Sequence, residues 1–229
     1  MLLIFKSKLS ETHNWLLHHN YLKSLIRMKS FINGKVLDIG CGTKPYAEYF
    51  TPQCELYIGL EHSKTIHGLD KVDILGDSVS LPFKDLSFDN LVSFQVMEHV
   101  PEPLDFLSEA FRVLKPGGYI FLTTPFMWGE HEEPYDYFRY TRYGLRYLAE
   151  KVGFKVIEIN PDSKYWTTAV LRFNYYLLRF ARGRFKIAIK LFFLPIFTFN
   201  QLLALILDKI PHNYTIDTVG FSSLLRKPN

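Results

Sequence analysis

The chain has 229 residues, 48% of them hydrophobic and 22% charged. That is long enough to bury one core of α/β size with an appendage, and it excludes a disordered chain. The net charge is +4, and the two cysteines, Cys41 and Cys54, exclude a disulfide framework and point to a reducing, cytoplasmic setting.

Met1–Phe5 is apolar, but Lys6 and Lys8 interrupt it too soon for the core of a signal peptide. His13–Ile32 reads as one or two helices, and Asn33-Gly34 as a turn. Short apolar runs at 35–40, 56–61, 72–77, 88–94, 119–124 and 154–159 read as buried strands. Between them, Leu104–Leu114 predicts an amphipathic helix stopped by Pro116-Gly117-Gly118, and Tyr140–Val152 predicts another. Strands alternating with helices predict βαβ units and an α/β fold, a mostly parallel sheet with helices on both faces. The charge is divided along the chain. Residues 31–164 carry 20 acidic and 13 basic groups, while 1–30 carry five basic and one acidic, and 165–229 nine basic and two acidic. Basic ends attract phosphate, in nucleic acid or on a membrane surface.

Residues 165–210 break the strand–helix rhythm. Over 165–192 a continuous helix would place Arg172, Arg179, Arg182, Lys186 and Lys190 within an arc of about 80°, with nearly everything else apolar. That is the pattern of a helix lying in a membrane interface, unless Gly183 divides it. Leu191–Leu207 is almost wholly apolar and sits at the lower length limit for a bilayer span. Gly220–Lys227 reads as a last, seventh strand that returns to the sheet, which argues against a single crossing. An interfacial or re-entrant helical hairpin, or a hydrophobic lid, is expected instead. The plain alternative packs this insert on its own domain or on a second copy in a homodimer. The expected organisation is an N-terminal helical segment at 1–34, a core at 35–164, the apolar and basic insert at 165–212, and the last strand within 213–229.

The sharpest motif is Val36-Leu37-Asp38-Ile39-Gly40-Cys41-Gly42-Thr43, a strand feeding a glycine turn at the sheet edge where α/β folds bind ligands. A dinucleotide fingerprint needs a third glycine, and Pro45 stands there instead. Asp38 suits a cationic ligand better than a pyrophosphate. Glu61 ends the second strand 19 residues past Gly42, the place of an acid that binds ribose hydroxyls. Asp77, followed by Ser78, ends the third and is placed for an adenine amino group.

Together these residues resemble the class I S-adenosylmethionine-dependent methyltransferases of the type 11 branch. The resemblance runs over 35–160 and includes Gly76-Asp77 with Leu81-Pro82-Phe83, Phe88–Val92, Glu98-His99-Val100 and Arg112–Gly118. It implies a Rossmann-like seven-stranded sheet and S-adenosylmethionine as cofactor. It also implies a cofactor site of Asp38, Gly40, Cys41, Gly42, Glu61, His62, Asp77, Ser78 and Gln95. Asp38, Gly40 and Gly42 would hold the methionine part, and Gln95 would lie near the methyl group.

The loop after the fifth strand, 125–141, holds one histidine, four carboxylates, an arginine and six aromatics. A hydroxyl acceptor must lose a proton, and imidazoles ordinarily titrate near about 6.5. His131 is therefore the first candidate base, with Glu130, Asp136 and Tyr137 as alternates. His99 is read as a helix-start residue. The stretch His131–Thr141, before Gly144-Leu145, is similar to a subset of these methyltransferases met among bacterial surface-polysaccharide genes. That similarity implies a small-molecule or lipid-linked sugar acceptor. RNA or protein methylation is an alternative, and so is an inactive scaffold on the same fold. No DNA partner is expected. No metal is expected either, because the histidines are scattered and His18-His19 would point about 100° apart on a helix. The expected location is cytoplasmic, peripheral on the inner face of a membrane.

Overall fold

The computed structural model describes residues 12–210 and 217–229. The start of the chain, with its Met1–Phe5 run, lies outside them. The elements in chain order are α1 (Trp15–Met28), β1 (Gly34–Ile39), α2 (Ala47–Phe50), β2 (Cys54–Glu61), β3 (Ile74–Leu75), β4 (Phe88–Phe94), α3 (Pro103–Val113), β5 (Leu114–Pro125), α4 (Arg142–Val152), β6 (Lys155–Pro161), α5 (Tyr165–Leu178), α6 (Lys186–Leu207) and β7 (Gly220–Arg226). The described residues form two compact units, one within 25–160 and 220–229, the other within 1–24 and 161–219.

The first unit carries a seven-stranded sheet in the order β3-β2-β1-β4-β5-β7-β6. The pairs β2–β3, β1–β2, β1–β4 and β4–β5 are parallel, and β7 runs antiparallel to β5. The middle strands are apolar on both faces, with Val36, Leu37, Leu91, Val92, Ile120 and Phe121 fully buried. Burial on both faces is what a sheet covered by crossover helices requires. Crossovers also put the carboxyl ends of β1 to β5 on one edge, which is where the motifs collect.

Two strands differ from their expected extents. β3 holds two residues because Asp73 is drawn back to β2: its N–H donates to Gly59 O at 3.0 Å, and its carboxylate accepts from Gly59 N at 2.7 Å. β5 starts at Leu114, before the Pro-Gly-Gly run expected to precede it. A register shift opposite Phe88–Asn90 absorbs Lys115–Gly118 as a bulge. A side chain at Gly118 would bring Cβ to 2.4 Å from Asp89 O, so only glycine admits this close approach.

The second unit is helical. The basic stripe is not on one helix: α5 ends at Leu178, and α6 begins at Lys186. Arg182 is extended and Gly183 has φ +66°, a conformation that stops a helix. Arg172 therefore sits on α5, Lys186 and Lys190 on α6, and Arg179 and Arg182 between them. Trp15 and Leu16 of α1 pack with Ala204, Val170 and Leu205 of the hairpin. Asn174 Nδ2 donates to His13 O at 3.0 Å. Gln201, fully buried, accepts from Leu16 N at 3.0 Å and donates to Thr12 O at 2.9 Å. Residues 183–207 are long and apolar enough to cross a bilayer, yet only 17% of the apolar window is buried within the protein.

The start of α5 has no local side-chain cap. Asp208, just past α6, takes that place, accepting from Trp166 N at 3.0 Å and Thr167 N at 3.2 Å. A carboxylate there also meets the positive end of the helix dipole. Asp208→Ala should cost about 1–2 kcal/mol of stability, read as a lower urea midpoint at unchanged slope.

Candidate active site

The chain leaves β1 through Gly40 (φ +72°) and Gly42 (φ +49°), a hand open only to glycine without strain. At Gly40 an added Cβ would lie 2.3 Å from a Val96 methyl. Glu61, at the end of β2, holds this turn from below. One carboxylate oxygen accepts from Gly42 N at 2.7 Å and the other from His62 N at 2.9 Å. Each oxygen keeps a further lone pair for a hydroxyl.

Asp38 is buried, 2% exposed. Its Oδ2 accepts from the Tyr57 hydroxyl at 2.8 Å, while Oδ1 is buried with no hydrogen-bond partner. Burial pushes this carboxyl up to about 7, against the Tyr57 bond and the nearby Lys44 charge. Register places Asp38 opposite Gly59, with Tyr57 two residues back on the same face. Gly59 matters for the space it leaves, since a Cβ there would meet Lys44 Cε at 2.3 Å and Cys41 Sγ at 2.6 Å. Lys44 is paired with Asp73. Cys41 is buried, and burial raises its thiol to about 12, so it is neutral packing rather than a nucleophile. Tyr57, Lys44 and Asp73 were not singled out by the sequence reading. The period-2 face shared with Asp38 was the available signal for Tyr57.

Asp77 is exposed and accepts from Val79 N at 3.1 Å, an Asx turn that shapes its own loop. Ser78 is half-buried beside it, and His62 is exposed. Gln95, at the end of β4, has φ +56° and donates to Thr123 Oγ1 at 3.1 Å. Among the described residues, four non-glycine residues have positive φ, and Lys44, Gln95 and Glu132 of these belong to the loops of this edge. Each such conformation costs about 1–3 kcal/mol, and strain of this kind gathers at functional sites.

Loop 126–141 docks on the turn after β4. Tyr137 N and Phe138 N donate to Glu98 O at 2.9 and 3.3 Å, and the buried Tyr140 hydroxyl donates to Met97 O at 2.9 Å. Arg139 organises the loop's interior. It binds Asp136 with two nitrogens, both at 2.6 Å, and donates to Gly129 O at 2.9 Å and Phe138 O at 2.7 Å. The Arg139 guanidinium, helped by the His131 N–H at 2.8 Å, holds the Asp136 carboxyl well below the usual range. Asp136 is thus a charged clamp with both oxygens engaged by Arg139. Its Oδ2 lies 3.1 Å from His131 Nδ1. Glu130 and Tyr137 are exposed.

The scattered histidines come together here. The His99 and His131 rings meet edge to face at 4.9 Å. His99 Nδ1 lies 2.8 Å from Tyr135 O, and its Nε2 lies 3.9 Å from Glu98 Oε1 and from Glu132 Oε2. His99 is therefore a member of the loop's polar cluster and not merely a helix-start residue. Glu98 is fully buried, neither carboxylate oxygen has a hydrogen-bond partner, and burial pushes it up to about 8.

Residues 37–122 match the methyltransferase domain family, type 11. Over that stretch the chain is similar to the methyltransferase domain of that family. It is 34% identical over 124 residues to a probable S-adenosylmethionine-dependent methyltransferase of Mycolicibacterium smegmatis, covering 51% of this chain and 48% of that protein. It is 32% identical over 142 residues to the demethylmenaquinone methyltransferase of Geobacillus stearothermophilus, covering 54% and 60%. The chain thus spans between 38% and 60% of the length of these and similar curated relatives. A solved structure of a protein from Bacillus halodurans shares the fold, with TM-score 0.57 and 19% identity over 91% of this chain and 99% of that one.

The residues present fit the family's cofactor. The partnerless Asp38 Oδ1 suits its ammonium group, the free lone pairs of Glu61 suit ribose hydroxyls, and the Gly40–Gly42 turn admits close approach. A cation at Asp38 favours the ionised carboxyl, so binding releases a proton and strengthens as pH rises through about 7. S-adenosylhomocysteine affinity should increase about tenfold from pH 6 to pH 8 and then level off. Calorimetry in buffers of different ionisation enthalpy checks this, and Asp38→Asn should bind weakly with the dependence flattened.

Proposed function

We propose that this chain methylates a hydroxyl on a sugar, a glycolipid or another small molecule, with S-adenosylmethionine as donor. The observation that carries the reading is the buried, half-satisfied Asp38 beside Glu61 at the sheet edge, faced in sequence by a polar loop built around two histidines. Bound there, S-adenosylmethionine supplies a methyl group on a sulfonium, so transfer forms the oxygen–carbon bond as the carbon–sulfur bond breaks and the electron pair stays on sulfur. Asp38 and Glu61 fix the donor, while the glycine turn and Gln95 shape the space beside it. Orientation of this kind is worth about 7–11 kcal/mol of barrier in favourable cases. The hydroxyl proton passes to the His99–His131 pair, where Asp136 and the Tyr135 carbonyl hold the rings in place.

The test is titration of S-adenosylhomocysteine into the purified chain, followed by labelled-methyl transfer onto lipid-linked and free sugars. Glu61→Gln should weaken binding by about 1.5–3 kcal/mol, roughly 10- to 150-fold. No binding by well-folded protein would remove the reading.

A lipid-linked acceptor lies at a membrane, and the helical unit has a surface for one. Phe192, Phe199 and Ile206 on α6 are 73%, 65% and 64% exposed. Lys186, Lys190, Arg182 and Arg184 stand at its start and in the link before it, which complements anionic headgroups. Polar anchors argue for lying on the bilayer: Gln201 and Asn200 are tied to other parts of the same unit. The protein should sediment with vesicles containing anionic lipid, and release as salt rises. Lys186→Glu with Lys190→Glu should weaken binding by about 1 kcal/mol per lost positive charge or more. A concentration-dependent dimer that ignores vesicles would assign the apolar face to a second copy instead.

A further inference from the structure

We propose that Glu98, His99 and His131 form a binding site for a divalent transition-metal ion. One ligand atom from each of the three lies within 4.8 Å of the others. Two imidazoles and one carboxylate are a donor set used for zinc, manganese and ferrous ions, with positions left open for water or substrate.

Three independent features point to an ion. The first is Glu98. A carboxyl group that is fully buried with no hydrogen-bond partner beyond its own backbone is costly, and buried acids are ordinarily paired or bound to a metal. The second is the tautomer of His99. Its Nδ1 faces the Tyr135 carbonyl at 2.8 Å, and a carbonyl only accepts, so the proton sits on Nδ1 and Nε2 keeps its lone pair. That Nε2 is the atom 3.9 Å from Glu98 Oε1. The third is the support behind His131. Its Nδ1 lies 3.1 Å from the ionised Asp136, which Arg139 locks in turn. A carboxylate behind an imidazole is the outer partner that metal-bound histidines use. The same Nδ1 lies 3.5 Å from Arg139 Nη2. Glu132 adds a fourth oxygen, 3.9 Å from His99 Nε2, and its other oxygen meets His67 at 3.0 Å.

Ligand atoms about 2.0–2.1 Å from a zinc ion stand roughly 3.3 Å apart. The ion would therefore draw this set inward by about 1.5 Å at its widest. Residues 98–99 and 131 come from two segments that already hydrogen-bond to each other, so the ion would fasten loop 126–141 to the end of β4. Its chemical role rests on the proposed hydroxyl methylation. A coordinated acceptor hydroxyl has a lowered pKa, gives its proton to solvent, and presents its oxygen to the donor methyl. With the ion bound, His99 and His131 are ligands and solvent takes the proton; the pair accepts it only in the ion-free chain.

The experiment uses the full chain, freed of metal by a chelator and titrated with zinc alone by calorimetry. Cobalt absorption in the visible provides a second readout of nitrogen and oxygen ligation. One zinc per chain is expected, with at least about 100-fold weaker binding in His131→Ala, His99→Ala and Glu98→Gln. S-adenosylhomocysteine binding reports folding of each variant, so the histidine variants keep the test open where the buried Glu98→Gln fails to fold. No saturable zinc binding by a chain that still binds S-adenosylhomocysteine would overturn the site and leave the methyltransferase reading standing. Undiminished zinc binding in all three variants would overturn it as well. Zinc bound at these residues by a chain that binds no S-adenosylhomocysteine would uphold the site and remove only its role in methyl transfer.

Discussion

Asp38 sits near the end of a strand in which Val36, Leu37 and Ile39 are apolar and buried, and a carboxylate in that position has to be answered by its surroundings. Tyr57 answers one oxygen, and nothing in the described residues answers the other. The rest of the edge follows from that half-filled need. Gly59 has no side chain, so Lys44 and Cys41 can lie beside the acid. Lys44 is held by Asp73, and Asp73 by the Gly59 amide, which pulls the chain into β3. Gly42 is held by Glu61, which faces the same turn from the next strand. A cationic ligand at Asp38 completes a network whose other members are already in place, and preorganisation of this kind reduces the ordering cost of binding.

Loop 126–141 is built on a different logic. It has no secondary structure of its own before α4, yet Arg139 gives it an interior. One guanidinium spans Asp136 and the carbonyls of Trp128, Gly129 and Phe138, and so joins the loop's two ends. Arginine suits this because its planar fork offers five donors at fixed angles, where lysine offers a point charge. The clamp fixes His131 through Asp136, and the Glu98 carbonyl fixes the loop to β4 through Tyr137 and Phe138. The buried Glu98 carboxyl below this junction is the one strongly unfavourable group in the arrangement, which is why its role matters more than that of the exposed acids around it.

The sheet was legible in the sequence because parallel strands buried on both faces appear as short apolar runs, and β4 lies where its run lies, at Phe88–Phe94. Glu61 and Asp77 stand out in the sequence because each ends such a run, and Asp38 because it interrupts one. What the sequence concealed depends on contacts between distant segments. Nothing local to Arg112 shows that it binds Asp85 and the carbonyls of Leu81 and Phe83, and so secures the loop after β3. His99 and His131 are 32 positions apart, and only the docking of the loop brings their rings together. The stripe of basic residues over 165–192 assumed an unbroken helix, and one glycine with positive φ was enough to divide it.

That division bears on how the apolar hairpin is used. A bilayer offers no partners for polar groups, so a spanning helix must satisfy its own. In α6, Gln201 reaches Leu16 N and Thr12 O, and Asn200 donates to Asn174 Oδ1 at 3.1 Å. Asp208, one residue past the helix, caps α5. These polar groups are spent on binding α6 to its neighbours, along one side of the helix. Residues such as Phe192, Phe199 and Ile206 remain outward and apolar. A helix tied along one side and greasy along the other is suited to resting on a membrane surface, because crossing it would require the tied side to be surrendered to lipid.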